Sequence, residues 1–363
     1  MQDRPGKSEA PIPVTVLTGF LGSGKTTLLS KLVRKPGMSD TAVIINEFGE
    51  VGLDHLLVAK GEENVVLLES GCICCTISNS LGETLGDLFF RRARGEIPRF
   101  KRVAIETTGL ADPAPVMHTL MADYLVTAHF VLDGVVTVVD GVLGAGQLDA
   151  HEEAVKQAAI ADRIVIAKSD IAERAQLEAL EARLAALNPS APILEAVHGE
   201  IDPAEILGVG LFDPATKSLD VQRWLREEAL AHAGSGRDHE GHAHDGGRHG
   251  GRIRSFCIYL SGPASWEGYA AWLEAIRALR GPDLLRVKGL IEIGGDGHPY
   301  VIQGVQHVFT PPLRLAAWPS ADRRSRLVFI TRDLDRAEIE RTLRLLGDPA
   351  AVWREAVDRA AGR

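Results

Sequence analysis

The octapeptide GFLGSGKT, Gly19 to Thr26, is the feature that most narrows what this chain can fold into. It matches the pattern G-x-x-x-x-G-K-[S/T], and it lies between a short apolar run, Val14 to Thr18, and a helical segment, Thr26 to Arg34. A glycine-rich turn between a strand and a helix cradles phosphates with its backbone N–H groups. The sequence therefore predicts a phosphate-binding loop that opens an α/β sheet.

Each polar position of this loop has an expected task. Lys25 reaches the β- and γ-phosphates, and the Thr26 hydroxyl binds Mg²⁺. The start of the helix adds positive potential. The predicted nucleotide-binding residues of this segment are Gly19, Gly22, Ser23, Gly24, Lys25, Thr26 and Thr27.

Further Val- and Ile-rich runs predict the rest of a sheet. Nearly continuous apolar runs are typical of strands buried on both faces, and helical segments between them indicate parallel pairing. The predicted fold is an α/β P-loop NTPase with a mostly parallel sheet flanked by helices, followed by a small α+β C-terminal domain. The strand runs are Ala42 to Ile45, Val65 to Leu68, Arg102 to Ile105, Val135 to Val139 and Arg163 to Ala167.

The character of the chain changes after about residue 205. The segment GSGRDHEGHAHDGGRHGG, residues 234–251, has no apolar periodicity and is predicted to be a linker. Four strand-like runs and two helical segments follow it, which predicts a small domain with an antiparallel sheet. At 363 residues two domains are expected. The predicted divisions are a tail 1–12, a P-loop domain 13–208, a linker 209–251, a second domain 252–350 and a tail 351–363.

Composition excludes several partners. A formal charge of −9 argues against nucleic-acid binding through a broad basic surface. No apolar stretch reaches the roughly 18 to 20 residues that span a bilayer, and the first residues are unlike a secretory signal. We therefore expect no nucleic-acid or membrane partner and a cytoplasmic location.

A second group of residues is expected near the phosphates. VAIETTG, residues 103–109, ends an apolar strand, so Glu106 is predicted to hold an Mg²⁺-bound or attacking water and Gly109 to donate its N–H to the γ-phosphate. The segment NEFGEVGLD, residues 46–54, is interpreted as a switch loop, and its Asp54 joins Lys25 and Glu106 as a predicted catalytic residue.

The motif VIAKSD, residues 165–170, is interpreted as the base-binding segment. The Asp170 carboxylate can accept two N–H groups of guanine, which adenine does not offer, so Lys168 and Asp170 predict GTP. The usual pattern is Asn-Lys-x-Asp, and Ala167 stands where the Asn is expected. This departure makes guanine specificity less secure than phosphate binding.

Three of the four cysteines lie within four positions, in GCICCTI. Three thiolates at Cys72, Cys74 and Cys75 form a soft anionic site suited to Zn²⁺. The fourth coordination position is open to water, to Glu47 or Glu50, or to a ligand from another protein. A site of three protein ligands is suited to exchange. Two alternatives stay open: small hydrophobic residues in a core, or a redox pair.

The predicted linker 209–251 carries five of the 12 histidines. Imidazoles on a glycine-rich tether can collect Zn²⁺, Co²⁺ or Ni²⁺, and His239, His242 and His244 are the predicted ligands. A solvated spacer is the alternative. Cys257 falls in an apolar strand pattern and is expected to be buried and structural.

Taken together, the motifs resemble those of one family. GFLGSGKTTLL, INEFGEVGLD, SGCICCTI, ETTGLADPAPV, KSD and HGEIDPAEILG stand in the order and spacing of the CobW-like GTPases, and LLRVKGLIEI to GVQHVF extends the resemblance into the second domain. The resemblance implies a metal-dependent GTPase of the SIMIBI class, related to the urease and hydrogenase accessory GTPases. It also implies a metallochaperone or metallocentre assembly factor, a client metalloprotein and a nucleotide-dependent homodimer.

The leading hypothesis is that GTP binding and hydrolysis, with Mg²⁺, load and release a metal at the cysteine cluster. The expected ligands are GTP or GDP, Mg²⁺, and Zn²⁺ with Co²⁺ or another divalent transition metal as alternatives. Two other functions stay open: a zinc buffer or sensor whose affinity nucleotide modulates, and a P-loop kinase acting on a small molecule.

Overall fold

The computed structural model describes residues 10–45, 66–69, 77–208, 252–347 and 349–350. In the first part of the chain these residues form a seven-stranded sheet. Its strands are β1 Ile12–Thr18, β2 Thr41–Ile45, β3 Val66–Glu69, β4 Arg102–Glu106, β5 Phe130–Asp140, β6 Arg163–Ala167 and β7 Ile193–Ala196. The strand order is β3-β2-β4-β1-β5-β6-β7, and every pairing between these strands is parallel. All seven carboxyl ends therefore meet at one edge of the sheet.

Helices cover both faces of this sheet. On one face α1 packs through Leu28, Leu29 and Leu32, and on the other α2 and α3 pack through residues such as Leu85 and Met117. The helices are α1 Lys25–Leu32, α2 Ile77–Ala93, α3 Ala114–Ala122, α4 Tyr124–Thr127, α5 Gly144–Ala150, α6 Glu152–Ile160, α7 Arg174–Leu187 and α8 Pro203–Ile206. The predicted α/β fold is confirmed.

The second part of the chain forms a separate, antiparallel sheet. Its order is β11-β10-β9-β13-β8, and β12 pairs with β10. Its elements are β8 Ile253–Tyr259, α9 Trp266–Arg280, β9 Leu284–Glu292, β10 Pro299–Val305, β11 Val308–Phe309, β12 Leu313–Arg314, β13 Arg326–Arg332 and α10 Arg336–Leu343. The predicted α+β domain is confirmed. Cys257 of β8 is buried, as expected.

One apolar cluster runs across the boundary between the two sheets. Leu285, Val305 and Ile330 of the second sheet belong to the same buried cluster as Met117 of α3 and Phe130 of β5. The His118 ring contacts the Val305 carbonyl across this boundary, with Nε2 3.2 Å from the oxygen. The second domain is therefore packed against the first through buried side chains.

A buried ion cluster closes the same interface. One oxygen of Asp162, just after α6, lies 2.5 Å from Arg286 Nη2 and 2.6 Å from Lys288 Nζ, both on β9. The other oxygen accepts the Val135 N–H at 2.9 Å. Burial raises the pKa of Asp162, but the two cations outweigh burial and lower the pKa to about 2. At the opposite end of α6, Glu152 accepts Arg332 Nη1 of β13 at 2.6 Å.

Within the described ranges, we find no helix that combines the length and the apolar character needed to cross a membrane.

Candidate nucleotide site

The phosphate loop leaves β1 and enters α1 through backbone conformations that favour glycine. Gly19 has φ 144°, and a Cβ built there would lie 2.2 Å from the Val138 carbonyl oxygen. Gly24 has φ 100° and caps α1. Side chains are strained in this region of backbone space. The loop conformation is therefore encoded by the glycines.

Lys25 is the first residue of α1, and its side chain bends back over the loop. Its ammonium donates to the carbonyls of Gly19 at 2.8 Å and Phe20 at 3.2 Å. Ser23 is buried and closes the loop by donating its N–H to Phe20 O at 3.1 Å, whereas Thr27 faces solvent on α1. The Lys25 ammonium is thus held over the backbone of the loop.

Thr26 and Glu106 form the oxygen-rich corner of the site. The Thr26 hydroxyl donates to Glu106 Oε1 at 2.6 Å, although the two residues are 80 positions apart. Glu106 ends β4 and is 3% exposed. Hydroxyl and carboxylate oxygens are the ligands that Mg²⁺ prefers. This donor pair fits an Mg²⁺ ion held directly or through water.

The loop after β4 lies directly on the phosphate loop. A Cβ at Gly109 would come within 2.7 Å of the Leu21 backbone nitrogen, so only glycine allows this approach. The carbonyls of Gly109 and Ala111 accept the Gln157 side-chain amide at 3.2 and 3.0 Å. Gln157 of α6 therefore fixes the backbone segment that is expected to meet the γ-phosphate.

Lys168 spans the site from the end of β6 to the phosphate loop. Its ammonium donates to the Gly22 carbonyl at 2.8 Å and to Asp140 Oδ2 at 2.6 Å. Asp140 ends β5, is 1% exposed, and accepts the N–H groups of Val142 and Leu143 with its other oxygen. A buried, fully hydrogen-bonded carboxylate thus fixes the position of Lys168.

Asp170 is bound by the turn that follows β7. Its Oδ1 accepts the main-chain N–H of His198 at 3.1 Å, and its Oδ2 lies 2.8 Å from His198 Nδ1. The hydrogen bond from this main-chain N–H lowers the pKa of Asp170 below its usual value. The Asp170 carboxylate is therefore held in its ionised form, and its role as the guanine acceptor stays a prediction.

Three residues of this site were missed by the sequence analysis. Asp140 ends the apolar run VVTVVD, and a carboxylate at a strand end was a usable signal. His198 lies in HGEID, which entered only as part of the family resemblance. Gln157 gave no signal, because its partners are 46 and 48 positions away.

The predicted transition-metal ligands and the predicted catalytic residue Asp54 lie outside the described part of the chain. This applies to Cys72, Cys74 and Cys75, to Glu47, Glu50 and Asp54, and to His239, His242 and His244. Among the residues that the structure does describe, no three His, Cys, Asp or Glu side chains are grouped so as to hold a metal ion. The cysteine, switch-loop and linker assignments stay predictions.

The fold and the site define a P-loop nucleotide-binding protein with an appended antiparallel domain. The chain belongs to the CobW family: residues 13–195 match the CobW/HypB/UreG nucleotide-binding domain, and residues 253–346 match the cobalamin synthesis protein cobW C-terminal domain.

The match to individual relatives extends over most of both chains. The chain is 33% identical to the zinc chaperone YjiA of Escherichia coli, over 91% of this chain and 96% of the relative. It is 30% identical to the zinc-regulated GTPase metalloprotein activator 1 of Schizosaccharomyces pombe, over 90% and 84%. The crystal structure of Zn(II)-bound YjiA GTPase from E. coli superposes with a TM-score of 0.68 at 29% identity, covering 93% of this chain and 99% of that one.

Proposed function

We propose that this protein is a Mg²⁺-dependent GTPase that couples its nucleotide cycle to the loading and transfer of zinc at Cys72, Cys74 and Cys75. Zinc is the cargo in this scheme, and a client metalloprotein receives it. Relatives along the whole chain are named zinc chaperones and a zinc-regulated GTPase metalloprotein activator, which supports this direction.

The phosphate end supplies the groups that GTP hydrolysis needs. The N–H groups of the loop and Lys25 neutralise the β- and γ-phosphates. Thr26 and Glu106 hold Mg²⁺, which when bound offsets charge developing on the phosphate oxygens. Gly109 donates its N–H to the γ-phosphate, and Gln157 keeps that segment against the loop.

One observation carries the coupling to zinc: the register of three neighbouring strands. Ile45 of β2 pairs with Glu69 of β3 on one side and with Glu106 of β4 on the other. With strands about 4.8 Å apart, Glu69 and Glu106 are about 10 Å apart. Cys72 follows Glu69 by three residues in the sequence. The last described residue before the cysteine segment therefore lies close to Glu106, and this proximity supports the proposed coupling.

Zinc titration in two nucleotide states tests this coupling. We expect the zinc affinity of the full chain to differ by about fivefold or more between GDP and a non-hydrolysable GTP analogue, the usual scale of allosteric coupling. Replacing Cys72, Cys74 and Cys75 together by Ser should abolish tight binding. Cys257→Ser is the matched control and should keep it, since Cys257 lies in the second sheet.

Lys25→Ala separates this function from a simple zinc buffer. In the coupled scheme the variant still binds zinc at the thiolates, but its zinc affinity no longer responds to the GTP analogue. Equal zinc affinity in all nucleotide states of the unmodified chain would contradict the coupling and leave a buffer.

The finer features belong to the same proposal. We place the working protein in the cytoplasm, as a homodimer that forms around nucleotide, with a GTPase domain 13–208, a histidine-bearing linker 209–251 and a second domain 252–350. Ultracentrifugation with GDP and with the GTP analogue tests the dimer.

A further inference from the structure

The carboxylate expected to read guanine is already engaged by a residue of the chain itself. Asp170 receives two hydrogen bonds from His198, one from the main-chain N–H at 3.1 Å and one from the imidazole Nδ1 at 2.8 Å. Each bond goes to a different carboxylate oxygen. Guanine would offer the same arrangement, because its two adjacent N–H donors pair with both oxygens of one carboxylate.

Exposure shows which of the two side chains a base would meet first. The His198 side chain is 71% exposed, whereas that of Asp170 is only 16% exposed. The imidazole therefore lies on the solvent side of the carboxylate. A base approaching Asp170 from solvent must displace the imidazole or share its acceptor.

The turn that carries His198 is held in place independently of Asp170. Residues Val197 to Glu200 form a tight turn closed by the Glu200 N–H and the Val197 carbonyl at 2.8 Å. His198 and Gly199 have φ 52° and 73°. Glu200 is tied to Lys35 at 2.7 Å and to Lys31 at 3.3 Å, beside and on α1. The backbone is thus anchored, and rotation of the imidazole is the simplest way to free Oδ2 of Asp170.

We propose that His198 is a specificity-determining residue for guanine nucleotides: its imidazole competes with the base for Asp170 and sets the affinity for GDP and GTP. The inference rests on the GTPase function proposed above. It has particular weight in this chain because Ala167 replaces the expected Asn, which leaves Asp170 as the main side chain that reads the base.

Calorimetric titration of the full chain with MgGDP tests the competition. His198→Asn removes the imidazole and suits the left-handed backbone at this position, and His198→Ala is the second variant. We expect both to bind GDP about three- to tenfold more tightly, the scale of one exposed charged hydrogen bond. MgADP binding should not gain, because adenine does not compete for Asp170.

Asp170→Asn completes a double-mutant cycle, which tests whether a gain in GDP affinity depends on the Asp170 carboxylate. In that background the same His198 substitutions should leave GDP affinity unchanged. A gain that persists without the Asp170 carboxylate, or unchanged or weaker GDP binding in both single variants, overturns the competition. Failure of the unmodified chain to bind any guanine nucleotide would instead overturn the proposed GTPase function, so the two failures are distinguishable.

The imidazole signal of His198 gives an independent readout by NMR. It is assigned by its loss in His198→Asn, and it should shift when MgGDP is added and stay in place when MgADP is added. If the chemical shift of the His198 imidazole stays the same although GDP is bound, the proposal is contradicted.

Discussion

The two ends of the nucleotide site are built from different materials. The predicted phosphate end is built mainly on the backbone of one stretch of eight residues, Gly19 to Thr26, with the Glu106 carboxylate added from β4. The predicted base end consists of side chains from three places in the chain: Asp140 at the end of β5, Lys168 and Asp170 after β6, and His198 after β7. A phosphate-binding loop made of backbone groups requires one short sequence pattern, whereas a network of side chains can keep its function with different residues. Substitutions such as Ala167 are therefore expected at the base end.

The largest effect is expected from the carboxylate at the phosphate end. Glu106→Gln keeps the shape of the side chain and removes its charge, so it should hold Mg²⁺ less well. We expect GTP hydrolysis to fall about 10- to 100-fold and to require more Mg²⁺. The rate as a function of Mg²⁺ concentration measures this. Thr26→Ser, which keeps the hydroxyl, is the control, and an unchanged Mg²⁺ requirement in Glu106→Gln would contradict the assignment.

An effect of intermediate size, on the free energy of unfolding, is expected at a carboxylate that lies outside the nucleotide site. The pKa of Asp162 is about 2 in the folded chain, below the usual value of 3.8 for an aspartate. Because the pKa of Asp162 is lower in the folded chain than in the unfolded chain, its ionised form stabilises the fold at pH values above about 4. That stability is lost as the pH falls from about 4 through 2. We expect about 2 kcal/mol of unfolding free energy to disappear over this range. Urea unfolding at several pH values measures it.

Asp322 is the matched control for this acid effect. Arg324 lowers the pKa of Asp322 to about 2 as well, but this pair is solvent-exposed. Solvent screening makes such pairs contribute little. The loss of unfolding free energy at low pH should therefore diminish in Asp162→Asn and persist in Asp322→Asn. The opposite result would contradict a stabilising role for the ion cluster of Asp162.

The smallest effect is expected at the base end. Asp140→Asn keeps an oxygen for the Val142 and Leu143 N–H groups but loses the charge that holds Lys168. We expect GDP affinity to fall roughly fivefold, the worth of about 1 kcal/mol. The Mg²⁺ requirement for hydrolysis should not change. If it does change, the two ends are not independent and the comparison fails.

Most of the first sheet was predictable, because its strands are continuous apolar runs. The exceptions have local causes. β5 begins at Phe130, five residues before the predicted run, because Asp133 interrupts the pattern. That aspartate is accommodated by the Thr15 hydroxyl and the Gly208 N–H, both at 2.9 Å, and burial raises its pKa. β7 was missed because only Ala196 of its four residues is buried.

The candidate site follows the same logic. Lys25 and Thr26 were predicted because the loop pattern fixes their places relative to one another. Glu106 was predicted because carboxyl ends of parallel strands meet at one edge. Asp140, Gln157 and His198 act on partners 28 to 48 positions away, so their contacts exist only once the sheet has formed.

The core that α3 shares with the second sheet has a consequence for how this protein can be divided. The two regions match separate family models, but Met117 and Phe130 belong to the same buried apolar cluster as Val305 and Ile330. A first domain expressed alone would present this apolar surface to water and be prone to self-association. The second domain therefore supplies part of the core of the first, although the two match separate family models.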